Sequence, residues 1–276
     1  MAKQLTINLL KGLSIAHISL PIRIFDNRSS IQRIVDFWSY AKTHLKNAVD
    51  AKDPVERIKW VLCFGICSLY LCTSQRKPFN PLLGETNQGS FEDGTRYYCE
   101  HTSHHPPISH YLLEGPNKSY RMHGYYEFFG GFGGNSFTSG LRGPCTIEFA
   151  DGTSLRFNAP DFKIGGSMYG DRTVEPTGSI VLQDMKHGLK AVVAMGTFKE
   201  SGFWNKSVSG SKTDVEGVIY AVKADNNRPI KYGTKQQLPT DVSKVDDINE
   251  KLCDVKGNIL TTISFNKKVY WNIDTD

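Results

Sequence analysis

One lysine and a pair of histidines are the residues of this chain best suited to chemistry. His104 and His105 lie side by side, before two prolines, in the sequence EHTSHHPP. Lys77 and Asn80 lie upstream in the sequence KPFNPLLGE. A lysine is a compact charge suited to phosphate oxygens, and imidazoles donate N–H bonds that strengthen when the ring is protonated. These residue types could together hold a phosphate group.

A metal site and structural histidines are the alternatives to a phosphate site. Metal ligands usually share one face of an element and have further Cys, His or carboxylate partners nearby, so a zinc site would need His101 and His110 as well. Neighbours on an extended chain point to opposite sides, which also counts against a phosphate site unless the segment twists. The two prolines disfavour helix here, so we expect the histidines on extended backbone.

Catalysis is the function that the sequence supports least. The chain has no G-x-S-x-G sequence, and Ser103 cannot form a triad with His104 through adjacency alone. No paired carboxylates stand out. The residues therefore predict a binding protein that is not an enzyme and needs no cofactor or metal.

The two stretches resemble the motifs of the oxysterol-binding protein family, KPxNPxxGE and EQVSHHPP. The first matches at every fixed position, and the second departs at His101, where the family usually has Gln, and at Thr102, where it usually has Val. Weaker similarity runs from about Leu5 to Trp271. Two motifs at a compatible separation are far more specific than a single short one.

The resemblance implies a lipid-transfer domain that carries a sterol or phospholipid between membranes in exchange for phosphatidylinositol 4-phosphate. It assigns the headgroup to Lys77, Asn80, His104 and His105, and it makes Trp38 a wall residue of the lipid cavity. An amino-terminal lid over that cavity would use four leucines that share a helical face: Leu5, Leu9, Leu10 and Leu13. The alternative function is a lipid sensor or adaptor that changes partners on loading without net transport.

One part of the family pattern is missing from the sequence. The family usually adds, near its carboxyl end, a helix with Lys, Glu and Arg at four-residue spacing that completes the headgroup site. Here Lys244 is followed four residues later by Ile248. We therefore expect recognition of the inositol phosphate to be weakened or completed by other basic residues.

Composition and charge limit the classes of partner. The 276 residues are 39% hydrophobic with a net charge of +5, and no basic run is dense enough to follow a nucleic-acid backbone. The longest apolar run, 60–72, is shorter than the roughly 20 residues that cross a bilayer. The six cysteines form no CxxC pair, which indicates reduced thiols. We expect a cytoplasmic monomer that contacts membranes peripherally.

The periodicity predicts helices first and strands afterwards. Ser29 or Ser30 begins a helix that reaches Leu45, and a second helix begins at Asp53 and Pro54. From residue 91 the period changes to two, with Asp-Gly hairpin turns at 93–94 and 151–152. We expect 226–250 to be a loosely packed loop.

These segments predict one domain that is mainly β with helices. The fold class is a large antiparallel, incomplete β-barrel enclosing a lipid cavity, since a long meander hides its edges by closing. Within the single domain 1–276, the lid spans 1–25, the helices 26–76, the barrel 77–223 and the carboxyl-terminal region 224–276.

Overall fold

The computed structural model describes residues 25–73, 76–166, 169–196, 199–201, 207–232, 238–239 and 241–275. The predicted lid residues Leu5, Leu9, Leu10 and Leu13 lie outside these ranges.

Three α-helices follow a first short strand: α1 (Ser30–Trp38), α2 (Ala41–Asp50) and α3 (Pro54–Cys67). The single helix predicted up to Leu45 is wrong, because α1 ends where the carbonyl of Asp36 accepts bonds from both the amide and the hydroxyl of Ser39. The predicted start of the next helix is confirmed. The Asp53 carboxylate accepts the Glu56 amide at 2.9 Å and so caps α3. No helix in the described part of the chain is long and apolar enough to cross a membrane.

Strands follow over most of the remaining chain. Their bounds are β1 (Phe25–Ser29), β2 (Lys77–Phe79), β3 (Thr86–Ser90), β4 (Arg96–His104), β5 (Pro107–Glu114), β6 (Tyr120–Gly133), β7 (Ser136–Arg142), β8 (Pro144–Phe149), β9 (Ser154–Asn158), β10 (Asp161–Gly165), β11 (Thr173–Thr177), β12 (Ser179–Asp184), β13 (Leu189–Met195), β14 (Lys199–Ser201), β15 (Ser207–Ser209), β16 (Asp214–Val222), β17 (Ile248–Asn258), β18 (Thr262–Phe265) and β19 (Lys268–Asn272).

Fifteen of the described strands form one antiparallel sheet. The sheet is a meander in which β6 pairs with β8 along its first half and with β7 along its second. Gly143 separates β7 from β8. Its φ of +139° suits glycine, and a Cβ there would collide with the Tyr125 carbonyl. The described edge strands β3 and β19 do not pair with each other, so the sheet is an incomplete barrel. It also continues past residue 223 through β17, β18 and β19.

Three described strands, β3, β11 and β19, lie at edges of the sheet, and the helices lie between β3 and β19. Asn87 of β3 donates its side-chain amide to the Ile31 carbonyl of α1 at 3.0 Å. Tyr270 of β19 donates its hydroxyl to Glu56 of α3 at 2.8 Å and packs its ring on Trp60. The helices thereby close the side of the barrel that the strands leave open.

Both predicted Asp-Gly hairpin turns are confirmed. In the turn between β3 and β4, Asp93 accepts the Thr95 amide at 2.9 Å, and in the turn between β8 and β9, Asp151 accepts the Thr153 amide at the same distance. The glycine that follows each aspartate has a positive φ. Aspartate tolerates and stabilises such turns because its side chain bonds the backbone two residues on.

A first apolar core lies between the helices and the inner face of the sheet. Its fully buried members come from both layers: Ile31, Leu45, Ile58, Leu62, Ile66, Leu113, Met122, Ile147, Leu155, Ile263 and Trp271. Because each element buries one face, apolar residues recur every three to four positions in the helices and at every second position in the strands.

A second apolar cluster lies on the outer face of β12, β13 and β16. Val181, Val192 and Val218 pack there against side chains of the carboxyl-terminal segment: Ile230, Leu238, Val242, Val245 and Ile248. The Asp247 carboxylate also accepts Lys190 Nζ at 2.7 Å. The expectation of a loosely packed loop at 226–250 is therefore wrong for its described residues. Because both faces of these strands are covered, β12 and β13 are buried along their whole length.

Arg57 of α3 contacts the end of α2 and the turn between β8 and β9. Its guanidinium donates to the carbonyls of Ala48 and Ala51, which end α2 and have no helical partner, and to Asp151 at 2.6 Å. Burial opposes ionisation of Asp151, but hydrogen bonds from Thr153 and Arg57 outweigh it and lower its pKa to about 2. This carboxylate therefore stabilises the fold above its ordinary pKa, and the contribution is lost as pH falls through about 2.

Replacing Arg57 should destabilise the protein without changing its fold. We expect Arg57→Met to lower the free energy of unfolding by about 2–4 kcal/mol, since it leaves two buried carbonyls unpaired. Urea unfolding monitored by circular dichroism measures this loss of free energy of unfolding. The matched control is Lys46→Met, which breaks an exposed pair with Asp50 and should cost less than about 0.5 kcal/mol. Equal losses in the two variants would contradict the role given to Arg57.

Candidate functional site

The histidine motif lies on the hairpin of β4 and β5. His101 pairs with Ser109, but Ser103 pairs with Ile108, so Thr102 is an extra residue that forms a β-bulge. The bulge reverses the alternation of side chains in β4. As a result His101 and His104 lie on the same side, with Nε2 and Nδ1 of the two rings 3.1 Å apart.

His104 and His105 present their rings side by side to solvent. Both residues are exposed, and their ring centroids are 5.0 Å apart at an angle of 73°. His104 is the last residue of β4, whereas His105 lies in the turn, where its peptide bond to Pro106 is cis. Neighbouring side chains on an extended chain point to opposite sides, but His105 lies in the turn, so this rule does not keep His104 and His105 apart.

The two departures from the family motif have distinct structural roles. His101 is only 2% exposed, and its Nδ1 lies 2.9 Å from the hydroxyl of the buried Ser109. Burial lowers the pKa of His101, the charge of His104 lowers it further, and Glu85 opposes the change. Thr102 points outward instead, donating to the Ile108 carbonyl and contacting Nδ1 of His110.

Lys77 and Asn80 form a second polar group on the neighbouring loop. Lys77 belongs to β2, which runs parallel to β1, and its Nζ donates to Asn80 Oδ1 at 3.0 Å. Nζ also lies 5.0 Å from the ring centroid of Phe25, within range of a cation–π contact. Burial lowers the pKa of this half-buried lysine.

A rigid turn follows Asn80. The Glu85 amide donates to the Leu82 carbonyl at 2.9 Å, and the Glu85 carboxylate accepts the Leu82 amide at 2.8 Å. Gly84 supplies the positive φ, +78°, that the turn requires. The turn holds Leu82 and Leu83 out to solvent, where they are 75% and 68% exposed.

The two motifs meet at His101. The Gly84 amide donates to the His101 carbonyl at 2.8 Å, and the His101 amide donates to the Glu85 carbonyl at 2.9 Å. Within the described residues, no direct contact joins Lys77 to His104 or His105. The structure thus brings together Lys77 with Asn80, and His104 with His105, on two segments that share a backbone junction.

Trp38 is a core residue on the inner side of the sheet. It is 5% exposed and packs its ring on Tyr111 of β5, at 5.2 Å between centroids, and on Tyr97 of β4, at 6.5 Å. Tyr126 of β6 continues this aromatic group beside Tyr111. Sequence reasoning did not single out Tyr97 or Tyr111 for this group, although the alternation of inward and outward residues along each strand is the signal that would have found them.

Metal binding and nucleophilic catalysis find no support at this site. The described residues include no group of three or more His, Cys, Asp or Glu side chains placed to hold a metal ion. Ser103 donates its hydroxyl to the Pro106 carbonyl instead of a histidine. Ser109 and His101 are spaced like a nucleophile and its base, but they are 1% and 2% exposed, so a substrate could not reach them.

Comparison with known proteins places this site in a family. The family model described as oxysterol-binding protein matches residues 5–271. Oxysterol-binding protein 9 of Dictyostelium discoideum is 34% identical over 99% of this chain and 62% of its own length. Oxysterol-binding protein-related protein 2 of Mus musculus is 31% identical over 80% of this chain and 45% of its own length. The chain therefore spans less than two thirds of these relatives.

Solved structures share the fold. The Osh1 ORD domain in complex with ergosterol superposes with a TM-score of 0.72 at 22% identity, covering 95% of this chain and 55% of that chain. The Osh3 ORD in complex with PI(4)P from Saccharomyces cerevisiae gives the same TM-score and identity, covering 98% of this chain and 65% of that chain. The predicted fold class is confirmed, and the extent of the family match shows that this chain belongs to the oxysterol-binding protein family.

Proposed function

We propose that this protein binds single lipids and carries them between membranes, exchanging a sterol or phospholipid for phosphatidylinositol 4-phosphate. The observation that carries the proposal is the junction of the two motifs at His101. It sets the exposed rings of His104 and His105 on a segment that adjoins the loop of Lys77 and Asn80. We call these four residues the phosphate site.

The chemistry of the phosphate site suits a phosphate monoester. Lys77 offers a positive charge, and imidazole N–H groups make charge-assisted bonds when protonated. The phosphate carries about −1.5 to −2 charges at neutral pH. Solved relatives support the ligand classes, since the Osh3 ORD structure contains PI(4)P and the Osh1 ORD structure contains ergosterol.

Transport requires that the apolar part of the lipid be covered. Exposing it to water would cost roughly 25 cal/mol per Å² of apolar surface, so a carrier must enclose it. We assign this cover to the inner side of the sheet near Trp38 and to the amino-terminal leucines, Leu5, Leu9, Leu10 and Leu13. Function then consists of binding and release without a catalytic step, by a monomer that meets membranes peripherally in the cytoplasm. A sensor or adaptor would bind the same lipids without net transport.

Removing the phosphate site should abolish extraction of phosphatidylinositol 4-phosphate. We expect the variant Lys77→Ala, His104→Ala, His105→Ala to lose at least about 100-fold in affinity, because each charge-assisted hydrogen bond contributes about 1.5–3 kcal/mol. Vesicles containing the lipid, sedimented after incubation with the protein, report extraction into the supernatant.

The control for this experiment is Lys118→Ala with His123→Ala. It also removes one lysine and one histidine, from the loop before β6 and from β6 itself, outside the phosphate site. Its extraction should equal that of the unmodified protein. If the triple variant has an unchanged circular dichroism spectrum and still extracts the lipid as well as the unmodified protein does, then Lys77, His104 and His105 do not bind the phosphate.

The exposed leucines beside the phosphate site should contact the bilayer. We expect Leu82→Ser with Leu83→Ser to weaken sedimentation with vesicles by about tenfold or more, since each buried leucine side chain contributes about 1.5–3 kcal/mol. The turn should survive, because its hydrogen bonds use the backbone of Leu82 and the Glu85 side chain. Leu260→Ser, at the 42% exposed leucine between β17 and β18, is the control and should bind normally. Equal vesicle binding by the unmodified protein, the double variant and Leu260→Ser would contradict this contact.

A further inference from the structure

We propose that His101 is a positioning residue that orients the ring of His104 and gives its Nδ1 a hydrogen-bond partner in both protonation states. This inference rests on the proposed function, since it concerns how the phosphate site works. It assigns a role to the position at which this chain has His and the family motif usually has Gln.

The geometry holds His101 in one place. Its backbone pairs with Gly84 and Glu85, its Nδ1 lies 2.9 Å from the Ser109 hydroxyl, and its Nε2 lies 3.1 Å from Nδ1 of His104. Its ring is 2% exposed, whereas His104 is exposed. A fixed, buried imidazole thus lies directly behind the exposed one, with a hydroxyl behind it.

In the neutral site, this chain of bonds can set the tautomer of His104. If the Ser109 hydroxyl donates to Nδ1 of His101, the hydrogen of His101 is on Nε2 and is donated to Nδ1 of His104. The hydrogen of His104 must then be on its Nε2, the nitrogen that does not face His101. That nitrogen can donate to a phosphate oxygen even when the ring carries no charge.

In the protonated site, the same residues reverse the direction of the bonds. Both nitrogens of His104 then carry hydrogens, so Nδ1 donates to Nε2 of His101, which must be bare. The single hydrogen of His101 is then on Nδ1 instead of Nε2, and it is donated to the hydroxyl oxygen of Ser109. A hydroxyl both donates and accepts, so the reversal leaves no buried polar atom unpaired.

The surrounding charges decide which ring takes the proton. His101 is faced by Glu85 and His104, and His104 is faced by His101 and by His105, whose ring centroid is 5.0 Å away. The Glu85 carboxylate already accepts the Leu82 amide. Burial and the charge of His104 lower the pKa of His101, so the proton belongs on the exposed ring that meets the phosphate.

The consequence is a defined pH dependence. Phosphate binding favours the protonated form of His104, so affinity should rise as pH falls from about 7.5 to about 6, where the phosphate monoester begins to take up its own proton. Without the His101 side chain, the Nδ1 hydrogen of the protonated His104 ring loses its acceptor. Loss of the His101 side chain should therefore move the pH profile to lower pH.

Two substitutions of similar size separate hydrogen bonding from packing. His101→Leu fills the space but cannot bond to His104, whereas His101→Gln can accept from or donate to its Nδ1. Ser109→Ala is a smaller change that removes the hydroxyl partner of His101, which also interacts with the Tyr126 hydroxyl. Each protein is titrated from pH 5.5 to 8.5 with phosphatidylcholine vesicles containing phosphatidylinositol 4-phosphate, and in parallel with soluble inositol 1,4-bisphosphate.

We expect His101→Leu to bind about tenfold more weakly at pH 7, with its profile moved about one unit to lower pH, because a bond to a charged group is lost. Ser109→Ala should shift the profile in the same direction by less, and His101→Gln should recover most of the affinity. The shift should be the same with vesicles and with the soluble headgroup. Nitrogen-15 NMR of the rings should show His104 protonated on Nε2 in the neutral unmodified protein and a mixture of tautomers in His101→Leu.

Three results would overturn the inference. They are an unchanged profile in both His101→Leu and Ser109→Ala, a loss of affinity that is equal at every pH with unchanged His104 tautomers, and a shift seen with vesicles alone. If His101→Leu fails to fold, Ser109→Ala and His101→Gln decide the matter. Failure of the unmodified protein to bind either ligand at any pH would instead contradict the proposed function.

Discussion

The backbone junction between Glu85 and His101 is the interaction on which the candidate site depends. It joins the end of one motif to the second residue of the other, so two segments that are separate in sequence become neighbours. The β-bulge at Thr102 then sets the direction of the side chains. Without the extra residue, His101 and His104 would face opposite sides of β4, and the chain of bonds from Ser109 to His104 could not form.

The rest of the fold keeps this junction at the edge of the sheet. The strands β3, β4 and β5 form one end of the meander, and α1 is tied to β3 through Asn87. The helices fill the gap that the strands leave between β3 and β19, which places the apolar interior behind the site and leaves the polar residues at the surface. This division matches the needs of a lipid carrier, in which the headgroup and the apolar tail require opposite surroundings.

Sequence reasoning predicted the parts of the fold that are determined locally. The Asp-Gly turns and the cap at Asp53 depend on residues close together in the chain. The change to strands was predicted too late, at residue 91, since β2 and β3 precede it. It did not find the break after α1, although the bond from Ser39 to Asp36 that ends the helix is local. It also did not find the contact of Arg57 with Asp151 or the packing of the carboxyl-terminal segment on the outer face, because these depend on partners distant in sequence. At the site, the motifs indicated candidate residues, which stay a prediction, whereas the register of β4 against β5 shows why His104 contacts His101.

The central claim is that one lipid is exchanged for another, and transfer between two vesicle populations tests it most directly. Donor vesicles contain phosphatidylinositol 4-phosphate, acceptor vesicles contain ergosterol, and fluorescent probes follow both lipids in real time. The account predicts that catalytic amounts of protein move the two lipids in opposite directions, each faster when the other is present. Saturable binding of both lipids at one equivalent per chain, with no movement between vesicles, would contradict exchange and support a sensor or adaptor.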